Sequence, residues 1–562
     1  MLDMKRYKLL LKCVGIGAFC LCFFTCSIQE RYDVIIRGGT IVDGTGAQPY
    51  TADIGIKKDK IVKIGDLSNA GTLHVIDAAG MYVAPGFVDI HSGVNYDIFG
   101  DRSAVSKIRQ GITTIVLGED YSPAPVFGYM TEIADTILSL YGEHLQWNTV
   151  NEFFDYITHK GFSINIGLYV CPWQVRQCIM ENIMTALYDS TELRIQAQDQ
   201  QALKDGAVGI SIGFSGLAEQ LFQTIKLYPT YIIDTKNIGG LFTMGLRLED
   251  ERAVFVLKKT KNLVEDPRIP IEFMKIKFNK PFIQSQINTF FSTFDSIRAE
   301  GYNFEASIVP LPIYITKLSA FLPKQFKYNG VGYLKILFEF GRQQPVFHQA
   351  FQETYPNPDS LKTVLKTIRF AEIYSQRNKH LIGKTLFEAF GDKPQFVDSL
   401  INIYLTEQFD PVIQVEQSDD YYIKTAITKP WVTLATGAPL LTHYAIGIDS
   451  VSSILYYAPF PAAIARYVRD ESVIPIETMI QKMTSQNCDR LKIKNRGRLI
   501  TGNYADITVF NMSKISPVTS YVVTPNYDTG VRYVLINGKM VYENGKHTGN
   551  YAGKIIFGSG KK

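Results

Sequence analysis

Imidazoles, thiols and carboxylates are the side chains that hold metal ions or move protons, and this chain is short of the first two. Its 562 residues carry eight histidines, at positions 74, 91, 144, 159, 348, 380, 443 and 547. No two are spaced His-x-His, the pattern that points both imidazoles to one face of a strand. Four of the seven cysteines (13, 20, 22 and 26) fall in the first 26 residues. The others, Cys171, Cys178 and Cys488, are odd in number and widely spaced, which excludes a disulfide framework or a Cys-x-x-Cys metal knuckle. Metal-assisted or acid–base chemistry would have to be assembled from a few histidines, carboxylates and lysines.

The elements that position such residues must come from a globular chain. Hydrophobic residues make up 46% of it, with 34 Phe and 32 Tyr against 20% charged residues, enough for a sizeable core and incompatible with disorder. The length suits three or four ordinary domains or one large barrel with an accessory domain. Lys5, Arg6, Lys8 and Lys12 sit in the first 25 residues against a single acid, Asp3, so the remainder is close to neutral despite the formal +4. That balance argues against nucleic-acid binding.

Those 25 residues read as an export signal: a cationic start, then thirteen mostly apolar residues from Cys13 to Thr25, too few to span a bilayer. Cys26 follows the apolar run where a lipid-modified cysteine stands. Residues 1–26 are therefore expected to be a lipoprotein leader and the protein to be periplasmic or membrane-anchored, the alternative being simple cleavage or a retained anchor.

Residues 27–84 show short strands and glycine-rich turns, including Asp33–Arg37, Gly38-Gly39, Thr40–Val42, Asp53–Ile56 and Lys60–Ile64. The texture returns in residues 491–562, at Gly497–Ile500, Ala505–Phe510 and Val531–Tyr542 around Asn537-Gly538. The two ends are expected to form one small β-sandwich. Across residues 85–490 apolar runs alternate with helix-length stretches: Phe87–Ile90, Thr113–Leu117, Ile164–Leu168, Val208–Ser211, Gly240–Thr243, Ile271–Phe273 and Trp431–Leu434. This predicts an α/β fold with a closed (β/α)8 barrel, TIM-like in plan. The stretch from about 285 to 427 resists parsing and holds inserted helices such as Ser360–Tyr374.

Val83-Ala-Pro-Gly-Phe-Val-Asp-Ile-His91 resembles the opening motif of the metal-dependent amidohydrolases. The order of later stretches narrows the resemblance to the N-acyl-D-amino-acid deacylase, or D-aminoacylase, family. These are Gln110–Asp120 with Ser122-Pro-Ala-Pro125, Asp205–Ser211, Lys317–Pro323, Ala465–Glu471, Asn495–Leu499 and Gly502–Phe510. The resemblance implies a metal-holding barrel and hydrolysis of a non-peptide amide bond. In that chemistry zinc lowers the pKa of bound water while an aspartate shuttles the proton.

Residue by residue, the resemblance also implies losses. His91 keeps the first histidine position of the opening strand, but Gly93 stands at the second. Glu119 and Asp120 fall where the family has a cysteine or acid ligand. Gly245 and Lys275 replace two further ligand histidines, and Gly437 takes the place of the catalytic aspartate. Arg247 and Glu249 keep their substrate-side positions. A zinc site needs about three protein ligands; these positions supply His91 and one carboxylate. Of the other histidines only His443 follows a segment that reaches the barrel mouth.

Each survivor has a plainer reading: His91 as a hydrogen-bonded core histidine, Glu119 and Asp120 as turn residues, Arg247 and Glu249 as an ion pair at a strand end. Lys275 reads either as a cation standing in for the metal and pairing with the two acids, or as a base or nucleophile made reactive by burial. The expected protein is thus an exported D-aminoacylase-like pseudoenzyme without a cofactor, binding a partner or a small molecule such as an N-acyl amino acid. The alternative is an amide or imide hydrolase, with zinc, using a reduced site around His91, Asp120 and Lys275.

Overall fold

A computed structural model describes residues 31–562, apart from 120, 181–188, 213–227, 246–251, 279–283, 328–329, 340–343, 392–394, 417–419, 441–451, 516–521 and 524–527. The leader with Cys26, and Asp120, Arg247, Glu249 and His443, lie outside the described residues.

The chain opens with β1 (Arg31–Ile41), β2 (Tyr50–Lys57), β3 (Lys60–Gly65), β4 (Gly71–Asp77) and β5 (Tyr82–Pro85). Gly38-Gly39 does not end a strand: β1 runs through it as a bulge, with Gly38 at φ +67 and the β2 register shifting between Ile36 and Gly39. A Cβ on Gly39 would stand 2.4 Å from Val83 Cγ2, so glycine lets β1 and β5 close up there.

Seven strands then build most of the barrel: β6 (Phe87–Asp89), β7 (Ile112–Leu117), β8 (Asn165–Val170), β9 (Gly209–Ile212), β10 (Leu241–Gly245), β11 (Ile271–Met274) and β12 (Phe304–Ile308). An insert carries β13 (Ile313–Lys317), β14 (Ile368–Glu372) and β15 (Val412–Glu416), and β16 (Val432–Leu434) is the eighth barrel strand. The order β6-β7-β8-β9-β10-β11-β12-β16 is parallel throughout. β7 is buried along its whole length, as a strand covered on both faces must be. Outside it lie helices such as Val150–Lys160, started by a Thr149/Glu152 capping box and burying Phe153, Phe154 and Ile157. Val88, Ile90, Val116, Tyr169 and Leu241 fill the interior together with Cys488 and Leu491.

The unparsed stretch contains two features. β12 follows the helix Gln284–Ala299, and the insert wraps a core of its own that includes Leu318, Phe338, Phe347, Phe351, Leu400 and Tyr404. The helix expected over Ser360–Tyr374 spans Pro358–Thr367, after which the chain extends into β14, antiparallel to β15.

After the short paired strands β17 (Ser452–Ser453) and β19 (Val522–Val523), the C-terminal strands are β18 (Ile507–Phe510), β20 (Val531–Ile536), β21 (Lys539–Glu543) and β22 (Lys546–His547). β18 pairs with β5, joining both chain ends in one nine-stranded sheet. Asn537-Gly538, both with positive φ, turns β20 into β21. Gly497–Ile500 is an irregular loop tied back by Leu499 N–H donating to Asp43 O. The sheet and this loop enclose one core, with Ile36, Ile54, Val83, Leu499, Val509 and Leu535 among its members.

Candidate functional site

β6 and β16 close the barrel without a strand ladder between them. Gly437 N–H donates to His91 O at 3.1 Å, and Thr436 holds Asp89 through its N–H at 3.2 Å and its hydroxyl. Lys107, fully buried, lies against this seam. Its ammonium donates to Asp89 Oδ2 at 3.3 Å, Ser92 O at 2.9 Å, Ala438 O at 2.6 Å and the Thr436 hydroxyl. Burial pulls the Lys107 pKa down, and the Asp89 charge opposes this.

The glycines at the mouth have steric reasons. Gly93 has φ +70, and a Cβ there would stand 3.1–3.3 Å from the Gly437–Ala438 backbone. Gly437 has φ +60, with its missing Cβ directed at Val309 Cγ2 (2.9 Å) and Lys275 Cδ (3.1 Å). The aliphatic stem of Lys275 therefore lies against a side-chain position that is empty at 437. Gly245, the half-buried last residue of β10, offers no ligand either.

Lys275 follows directly after β11 at φ +49, its N–H donating to Ser307 Oγ at 2.9 Å. Its ammonium forms an ion pair with Glu119 Oε2. Glu119 follows Gly118 (φ +88), whose Cβ would meet Tyr169 O at 2.4 Å, so the turn that presents Glu119 depends on glycine. Ser211 Oγ donates to Glu119 O at 2.6 Å and holds that turn from β9.

His91 is fully buried and stacks on Tyr169, ring centroids 5.9 Å apart. Its Nδ1 lies 3.4 Å from Glu119 Oε1 and its Nε2 3.7 Å from Glu272 Oε1. None of these four atoms completes a hydrogen bond. Burial depresses the His91 pKa, but the two flanking carboxylates outweigh it and the net shift is upward. Burial would raise Glu119; Lys275 and His91 win, and its carboxyl is held down at about 2.

Glu272 belongs to β11, and its other oxygen accepts from Arg490 Nε at 3.1 Å. Arg490 also donates to Asn303 Oδ1 at 2.7 Å and to Ile271 O, at the N-terminal ends of β12 and β11. Basic and acidic side chains thus alternate through the barrel, from mouth to base, as Lys275, Glu119, His91, Glu272 and Arg490. The structure brings together His91, Glu119 and Lys275 from the sequence-predicted set. Glu272 and Arg490 were not among those candidates. The lone acid in the short apolar run Ile271–Met274 was the available signal for Glu272, whereas nothing local marks Arg490. Among the described residues no three His, Cys, Asp or Glu side chains gather in a way that could hold a metal ion.

No family model matches the chain. It is 23% identical over 537 residues to a D-aminoacylase of Alcaligenes xylosoxydans xylosoxydans, covering 94% of this chain and 98% of that one. An N-acyl-D-glutamate deacylase of the same organism is 23% identical over 525 residues, covering 92% and 94%. Among solved structures, an N-acyl-D-glutamate deacylase from Bordetella bronchiseptica, complexed with zinc and a phosphonate mimic of the tetrahedral intermediate, superposes with a TM-score of 0.73 at 21% identity, covering 94% of this chain and all of that one. Over nearly its full length this chain is thus similar to enzymes of the D-aminoacylase family of amidohydrolases, and it shares with them a parallel eight-stranded barrel joined to a sheet from both chain ends.

Proposed function

We propose that the protein is an exported member of this family that binds a small ligand or a partner at the barrel mouth without zinc-dependent amide hydrolysis. The ligand class suggested by its relatives is an N-acyl amino acid. One observation carries the reading: the second oxygen of Glu119 is paired with the Lys275 ammonium, not open to a cation. The described residues do not fit a zinc centre, which needs about three protein ligands. Gly93, Gly245 and Gly437 have none to give, and His91 faces a carboxylate on each side of its ring. The near-neutral chain outside the leader keeps nucleic acid out of the proposal, and the position of Cys26 after the apolar run of the leader supports attachment to a membrane through a lipid.

Purified protein assayed for bound zinc and for hydrolysis of a panel of N-acyl-D-amino acids, beside His91→Ala, tests this. The expected result is neither stoichiometric zinc nor turnover. Zinc together with turnover lost in His91→Ala establishes the hydrolase reading instead. Thermal-shift screening of the same compounds then identifies the ligand, because a binder of the native state raises its apparent stability.

A further inference from the structure

Lys275, Glu119, His91, Glu272 and Arg490 line up through the barrel, and each carboxylate already lies between two basic side chains. Beside them Asp89 is neutralised by Lys107. A divalent ion added to this set would bring two more positive charges into a site whose described anions are all committed, at a low-dielectric position where such an excess is costly.

We propose that Lys275 is a tethered cation that occupies the metal position of the barrel and keeps divalent ions out, the ligand-binding mouth being built around its ammonium. This rests on the non-hydrolytic reading above and adds a residue-level cause to it. Three features support it. The empty side-chain position at Gly437 accommodates the Lys275 stem. The left-handed backbone of Lys275, tied to Ser307, aims the stem across the mouth. The ammonium meets Glu119 and leaves the other Glu119 oxygen to His91.

If Lys275 excludes the metal, removing its charge must admit one. Lys275→Met keeps the stem and the backbone demand but frees Glu119 beside His91; Lys275→Arg keeps the charge. Titration of wild type and both variants with zinc chloride, read by calorimetry and by melting temperature, is the test. The expected result is that Lys275→Met melts lower than wild type without zinc, binds zinc at least about tenfold more tightly, and regains part of its melting temperature on binding. Lys275→Arg should resemble wild type. A methionine variant with unchanged melting temperature and no gain in zinc affinity overturns the proposal. Stoichiometric zinc in the wild type would instead overturn the reading beneath it. Should Lys275→Met not fold, Glu119→Gln/Lys275→Met, which removes both charges, must fold and bind no zinc; failure of that pair to restore folding also overturns the proposal.

Discussion

The Cδ of Lys275 lies 3.1 Å from the point where a Cβ on Gly437 would stand, so the two positions share one volume. A side chain at 437 would press on the present course of Lys275, which would have to give way. Gly437→Ala should destabilise the fold by at least about 1–2 kcal/mol from its left-handed φ alone, with more from displacing Lys275 and Val309. Gly93→Ala should show a similar loss, since its Cβ would press on the rigid Gly437–Ala438 backbone. Denaturant midpoints of the two variants check this; wild-type stability in either would contradict the geometry.

Glu119 predicts a pH dependence. Its folded-state pKa, about 2, lies below the ordinary 4.5, so the stability it supplies is complete above about pH 5 and is lost as pH falls from 4.5 towards 2. The size is of order 3 kcal/mol. Unfolding free energies of wild type and Glu119→Gln, measured from pH 7 to pH 3, should converge as the pH falls. A gap that stays constant would place the stabilising charge elsewhere.

The seam pair invites a double-mutant cycle. Lys107→Met strands the buried Asp89 carboxylate and should cost about 3–5 kcal/mol, while Asp89→Asn strands the ammonium at a similar cost. The double variant should be more stable than the sum of the two losses predicts, with a coupling of at least about 1 kcal/mol. Additive losses would mean that the backbone acceptors, not Asp89, satisfy Lys107.

Export and anchoring are tested by Cys26→Ser. The wild type is expected in the detergent phase of a membrane extract and the variant in the aqueous phase. Equal partitioning would remove the lipid from the proposal.

Most of the barrel was legible because strands buried on both faces read as apolar runs. β12 was not: in Phe304-Glu-Ala-Ser-Ile308, Glu305 and Ser307 alternate with the apolar residues, and the insert begins immediately after. Gly38-Gly39 looked like a turn because a bulge and a turn ask for the same residue. At the site, the pairing of Lys275 with Glu119 followed from charge types placed on a family framework. Glu272 and Arg490 could not be paired in advance, because they meet across 218 residues of sequence and only the closed barrel brings them together.

The seam also sets a timetable. Asp89 and Thr436 are 347 residues apart, so at about 5–20 residues per second a ribosome takes on the order of 20–70 seconds to deliver the partner of β6. Through that interval β6 is a bare strand edge, the feature that invites pairing between chains. Asp89 on that edge and Lys107 behind it put charge where a foreign strand would dock.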